Sequence, residues 1–262
     1  MSRQARHGWS SYERSNHKMS YLVISAKDLG EFNLRRNCQR CLWIKLHLKP
    51  LPYQSFPGIF STIDAYNKRI VHGYFDRERQ LPTWLNALGP VESYIDPPSY
   101  HKFSISDSDV RVTLRGQADG IFKMVDGTYT IVDYKTSKYT VNQDKLMGIY
   151  KAQLNGYAYL AERLGMYPVR QLALVYMEPI TDHETASLPN VVDSGGFTMQ
   201  FNATIVPVEI VHDTMIPKLM SKARDIYDTP RVPSFEEGCK NCQASSRFVE
   251  NLIQSMPPTV NQ

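Results

Sequence analysis

The stretch "GQADGIFKMVDGTYTIVDYKTSK", Gly116 to Lys138, sets β-branched and aromatic residues on both sides of the tetrapeptide VDGT, the composition of a β-hairpin. Asp119, Asp133 and Lys135 lie within it, charges that an apolar hairpin does not need. Side chains alternate along a strand, so Asp133 and Lys135 share one face while Val132 and Tyr134 take the other. The turn decides where Asp119 falls. A two-residue Asp126-Gly127 loop pairs Val125 with Thr128 and leaves Asp119 on the wrong face. A three-residue loop closed by Gly127 in the left-handed region pairs Met124 with Thr128 and sets Asp119 opposite Asp133. Two carboxylates so close repel unless a cation lies between them, and carboxylates completed by water are what Mg²⁺ prefers. A surface hairpin with a cross-strand salt bridge is the competing reading of the same spacing.

Outward from the hairpin, "RVTLR" reads as a continuation of its first strand, and "STIDAYNKRIVHGYFDRER" as a helix before it. After it, "NQDKLMGIYKAQLNGYAYLAERLG" is a long helix with Asn142 near its start and Gly165 at its end; Pro168 forbids continuation. Leu146, Tyr150, Gln153, Tyr157, Leu160 and Leu164 form its predicted buried stripe, in which Gln153 needs polar partners. "VRQLALVYME" and "FTMQFNATIVP" read as strands and "DTMIPKLMSKARDIYD" as a helix. Upstream, "SAKDLGEFNLRRNCQRCLWIKL" reads as one helix, capped by Ser25 with Asp28 three residues on, and broken downstream by Pro50, Pro52 and Pro57. The fold class is therefore α/β or α+β, a mixed central β-sheet flanked by helices. Residues 1–20 read as a flexible basic leader and 21–262 as one domain.

With 42% apolar and 21% charged residues the chain can bury a full core. It lacks an apolar run long enough to cross a bilayer and a signal-peptide pattern, so the reading is no membrane and a cytoplasmic location. A net charge of +4 permits an anionic partner without requiring one. The four cysteines form two pairs, Cys38 with Cys41 and Cys239 with Cys242. In a cytosolic chain such pairs point to metal or cluster ligation rather than disulfides. Four thiolates make one tetrahedral site for zinc or a four-iron cluster, and spacing does not separate the two. Arg35, Arg36, Arg40, Trp43 and Lys45 beside the first pair are either a helix's wet face or a track for a phosphate backbone.

"GQADG", "IVDYKTSK" and "QLNGY" stand in the order and approximate spacing of the RecB nuclease domain, and the chain resembles the PD-(D/E)xK nucleases of that group. The resemblance implies a restriction-endonuclease-like core and a Mg²⁺ or Mn²⁺ ion. It implies Asp119, Asp133 and the Tyr134 carbonyl as metal ligands, Lys135 as the catalytic lysine, and Gln153 with Tyr157 on the substrate side. The family's upstream histidine or acid corresponds to Asp64 in "GIFSTIDAY", with His72 as the rival. Similarity to AddB and the CRISPR adaptation nucleases implies a 4Fe-4S cluster on Cys38, Cys41, Cys239 and Cys242. Those relatives divide their cysteines one and three; this chain divides them two and two, which keeps zinc open. The activity implied is a metal-dependent deoxyribonuclease, an exonuclease on single-stranded or end-containing DNA in repair, recombination or CRISPR adaptation. The implied partners are DNA and a helicase or CRISPR adaptation proteins. A ribonuclease, or a non-catalytic module docking on a helicase, is the alternative.

Overall fold

The computed structural model describes residues 20–34, 36–48, 57–140 and 144–255. The leader up to residue 19, Arg35, Pro50, Pro52 and Asn142 lie outside them. Chain order gives β1 (Leu22–Ser25), α1 (Ala26–Gly30), a 3-10 turn (Glu31–Asn33), α2 (Gln39–His47), α3 (Gly58–Glu78) and a second 3-10 turn (Thr83–Leu88). Then come β2 (Val91–Ile95), β3 (Ser104–Asp107), β4 (Val112–Arg115), β5 (Gly120–Met124), β6 (Tyr129–Lys135) and α4 (Asp144–Arg163). The remainder is β7 (Val169–Pro179), α5 (His183–Ala186), β8 (Val192–Asp193), β9 (Gly196–Phe197), β10 (Phe201–Val208), α6 (His212–Tyr227) and α7 (Lys240–Ser255).

β6 is the middle strand of a five-stranded mixed sheet, order β10-β7-β6-β5-β2, parallel to β7 and antiparallel to β5. Its burial follows its alternation. Ile131 packs into one core with α1, α4 and α6, while Val132 and Tyr134 point into a second core with α3 and the Thr83–Leu88 turn. Helices thus cover both faces, the arrangement expected from the sequence. β1, β4 and β3 form a separate three-stranded sheet beside the first core.

The β5–β6 turn has the three-residue form. Gly127 takes φ +84, its amide donates to the Met124 carbonyl at 2.9 Å, and the Met124 amide donates to the Thr128 carbonyl at 2.8 Å. The pairing then runs Lys123 with Tyr129 through Gly120 with Val132. Asp119 therefore falls at the register position facing Asp133.

Three expectations fail. "RVTLRGQADGIFKM" is not one strand: Val112–Arg115 pairs with β1 and β3, and Gly116 to Asp119 crosses to the other sheet. The cysteine pair Cys38/Cys41 does not sit late on a long helix either. Ser25 caps α1 as expected, accepting from the Asp28 amide at 3.0 Å, but that helix stops at Gly30, and Cys38 is the N-cap of a new one. The chain runs on as the 3-10 turn Glu31–Asn33 and leaves helical angles at Leu34, which is extended at φ −69 and ψ 142; Gly30 itself lies against α4, where a Cβ would stand 2.6 Å from the Ile149 carbonyl oxygen. Backbone meets backbone where α1 crosses α4. The predicted stripe of α4 is also shorter than drawn, since Leu146 and Leu164 are 45% and 41% exposed; both stand at helix ends, beyond the reach of the sheet.

Gly30→Ala should cost about 1–3 kcal/mol through overpacking at this crossing, whereas Gly58→Ala, with nothing within 4 Å of a new Cβ, should be neutral or slightly stabilising. Urea melts of the two variants against the parent chain check the contrast.

Candidate active site and cysteine cluster

Asp133 is 2% exposed and lies on the α4 side of β6. A carboxylate there must be paired or neutral. Its Oδ1 accepts from Gln153 Nε2 at 3.0 Å, and its Oδ2 faces the Lys135 ammonium. Gln153 is itself 5% exposed. Its Nε2 also donates to Tyr157 Oη at 2.8 Å, and its Oε1 accepts from Lys135 Nζ at 3.4 Å. One amide thus fixes Asp133, Lys135 and Tyr157 against each other. The polar partners that a glutamine in this stripe requires are those three side chains.

Tyr157 reaches this position because Gly116 has no side chain: a Cβ there would lie 2.9 Å from the tyrosine ring. Lys135 is steadied from the far side by the Tyr150 ring, 4.3 Å from its ammonium. Asp119 turns its Oδ2 onto the Tyr134 amide at 2.9 Å, locking it to β6. Its Oδ1 meets Lys68 Nζ at 2.8 Å, and the same ammonium pairs with Asp64 at 2.9 Å. Asp64 and Lys68 are one turn apart on α3, so helix, loop and strand converge on one patch of three carboxylates and two lysines.

The fold brings together Asp64, Asp119, Asp133, Lys135, Gln153 and Tyr157. Tyr134 contributes its amide to Asp119, and its ring is buried on the opposite face. His72 stands apart, stacked on Tyr94 with ring centres 3.9 Å apart. Lys68 is the residue that sequence reading missed. Its signal was present as an Asp64/Lys68 i,i+4 pair, but nothing local tells that Lys68 also reaches Asp119.

Burial raises the Asp133 pKa, with Asp119 adding to the rise and Lys135 opposing it. Burial likewise raises Asp64, reinforced by Asp119 and opposed by Lys68. Burial pulls Lys68 down, but Asp119 and Asp64 outweigh it and leave it raised. These residues fit a divalent hard cation. The donors are all oxygen, Asp133 Oδ2 faces an ammonium without accepting a directed hydrogen bond, and Lys68 stands between two carboxylates that need positive charge.

At the other end of the chain, Gly238 takes φ +77 and Cys239 precedes α7, whose first turn carries Cys242. Cys38 caps α2, and Cys41 lies in its first turn. Sγ of Cys242 is 3.6 Å from that of Cys38 and 3.4 Å from that of Cys41, and Cys239 is 3.6 Å from Cys41. All four sulfurs lie within 4.8 Å of one another, and none is in a disulfide. They are placed to bind a metal ion or cluster. The neighbouring charges are engaged internally: Lys45 pairs with Asp28 at 2.9 Å and Glu31 at 2.5 Å, and Arg40 lies over the Phe235 ring. Trp43 donates to the Thr229 carbonyl at 3.0 Å and packs against the core, so its ring is not a stacking platform.

The profile of the PD-(D/E)XK nuclease superfamily matches residues 59–247, from the start of α3 to within α7. The chain belongs to that superfamily. The match includes every residue of the carboxylate patch and the second cysteine pair. Among solved structures, the crystal structure of SSO0001 is similar, at 13% identity and TM-score 0.42 over 89% of this chain and 92% of that one. LHK-Exo in complex with dAMP is similar at 12% identity and TM-score 0.37, over 91% and 96%. No curated protein matches the sequence. Among the described residues no helix is long and apolar enough to cross a membrane.

The raised carboxylates give a pH test. A carboxyl whose folded pKa exceeds its unfolded one contributes stability that is full below the unfolded value and is lost as pH rises through the folded value. Without divalent ions, the Asp64 and Asp133 contributions should thus fall as pH rises out of the ordinary carboxylate range. An ion at about 100 times its dissociation constant should restore about 2.7 kcal/mol at neutral pH, with the increment shrinking as pH is lowered. Melting temperatures across pH with and without Mg²⁺ measure both, and Asp133→Asn should lose most of the Mg²⁺ increment.

Proposed function

We propose that this superfamily member is a metal-dependent deoxyribonuclease, hydrolysing phosphodiester bonds as an exonuclease on single-stranded or end-containing DNA in repair, recombination or CRISPR adaptation. The observation that carries the hydrolytic reading is the convergence of Asp64, Asp119 and Asp133 from three elements, with Lys135 and Gln153 locked to the most buried of them. A surface salt bridge on a hairpin would not be buried, would not recruit a glutamine from a second element and would not draw in a third acid.

Asp64, Asp119 and Asp133 would hold Mg²⁺ or Mn²⁺, with the Tyr134 carbonyl as a further ligand. Such an ion supplies Lewis-acid polarisation of a phosphodiester oxygen and a bound water of lowered pKa. The chain's own residues do the rest. Asp133 holds the Lys135 ammonium in the patch, where it can hold the attacking water or offset charge developing on the phosphate. Gln153 fixes the rotation of the Asp133 carboxylate, since its Nε2 occupies Oδ1 and leaves Oδ2 facing the Lys135 ammonium. Tyr157, raised in pKa chiefly by burial and then by Asp133, stays protonated and retains a hydroxyl hydrogen for a phosphate or base on the substrate side. The net charge of +4 accords with an anionic polymer as partner.

The test is cleavage of end-labelled single-stranded DNA, duplex DNA and RNA with Mg²⁺, Mn²⁺ or EDTA. DNA shortened stepwise from an end, with EDTA abolishing it, is the expected result. RNA cleaved in preference would shift the substrate class, and binding without cleavage under every condition would leave a docking module. Lys135→Met and Asp133→Asn should each lower the single-turnover rate by about 10²-fold or more while circular dichroism stays native; undiminished cleavage by either would remove the patch from the chemistry.

A further inference from the structure

A four-iron cluster is what the likeness to AddB and the CRISPR adaptation nucleases implies for the four cysteines, and the sulfur geometry does not fit it. In such a cluster each thiolate ligates a different iron at a corner of a cube and projects away from its centre. Two thiolates are then separated by the iron–iron distance plus the outward reach of two iron–sulfur bonds. Four thiolates on one tetrahedral ion, with metal–sulfur bonds of about 2.3 Å, lie only about 3.8 Å apart, and no two can exceed about 4.6 Å. The three close pairs here measure 3.4, 3.6 and 3.6 Å, near the single-ion spacing, and the bound of 4.8 Å on every pair is within a few tenths of an ångström of the single-ion limit. The four sulfurs enclose room for a single ion. Admitting a cube of four irons and four sulfides would require α2 and α7 to move apart.

The backbone supports the same conclusion. Each pair begins a helix in the same way, the first cysteine just before it and the second in its first turn, with the Leu42 amide on the Cys38 carbonyl and the Gln243 amide on the Cys239 carbonyl. The two units face each other as two-and-two, so each contributes one edge of a tetrahedron. Both helix N-termini point toward the sulfurs, and their amide dipoles favour thiolate charge in excess of one divalent ion. Cys38 and Cys242 are buried, whereas Cys41 and Cys239 are half-exposed, leaving a route by which an ion can enter.

We infer that Cys38, Cys41, Cys239 and Cys242 bind one tetrahedral thiophilic divalent ion of the zinc class, and that this ion, not an iron–sulfur cluster, ties α7 to the body of the protein. Cys242 is the buried residue of α7 among those described, so the ion is the principal anchor of that helix. The site is structural: four protein ligands leave no open position for chemistry.

The experiment uses the full chain, produced in cells supplied with both iron and zinc and with extra cluster-assembly capacity, and purified anaerobically without a metal-affinity step. The expected product is colourless, carries one zinc per chain with no acid-labile sulfide, and shows a mass increment of a single ion under non-denaturing conditions. Exchange with Co²⁺ should give the strong visible bands of tetrahedral cobalt thiolate. Brown protein with iron and sulfide near four each per chain would overturn the inference, as would metal-free protein with four titratable thiols. Cys242→Ser should release the ion and expose the amides of α7 to rapid hydrogen exchange. Should that variant fail to fold, the metal content and cobalt spectrum of the parent chain still decide the matter.

Discussion

An ionisable acid set 2% exposed on the middle strand of the sheet is the constraint around which this molecule is built. Asp133 in isolation would cost several kcal/mol or titrate to its neutral form. The fold answers with a lysine two residues along the same strand, a glutamine from α4, and a second acid held off by its own hydrogen bond to the Tyr134 amide. Each of those answers imposes something further. Gln153 reaches Asp133 from α4, and α1 in turn crosses α4 at a backbone-to-backbone contact through Gly30. The small residues of the first core and the charged residues of the site are thus parts of one packing solution.

Much of this was legible because it is local. The hairpin's composition leaves a two-residue and a three-residue turn open, and the structure's three-residue form, with Gly127 left-handed, sets Asp119 facing Asp133. Gln153 in an apolar stripe announced buried polar partners, although their identity required the tertiary structure. What was not legible is non-local. Gly30 must be a glycine because the Ile149 carbonyl, on a distant segment, lies where its side chain would be. Val112–Arg115 has the β composition of its neighbours, and only pairing with β1 removes it from the hairpin sheet. The reach of Lys68 to Asp119 is non-local, since the two stand on α3 and on the segment before β5.

Segments near the two ends of the described chain meet at the sulfurs, with Cys41 and Cys239 separated by 198 positions in sequence. Closing so long a loop gains little more, per added residue, than closing a short one. The benefit of the clasp is therefore better sought in position than in total stability. α7 exposes Phe248, Val249, Leu252 and Ile253, so its apolar side makes few contacts with the body, and its orientation rests on its first turn.

Lys68 has a further consequence, for the order of events at the patch. At full ionisation three carboxylates face two ammonium groups, leaving one net negative charge that repels a polyphosphate. Addition of a divalent ion reverses that sign. Under the proposed function, a nucleic acid strand would meet an unwelcoming patch on the apo protein and an attractive one on the loaded protein, so the strand would follow the ion.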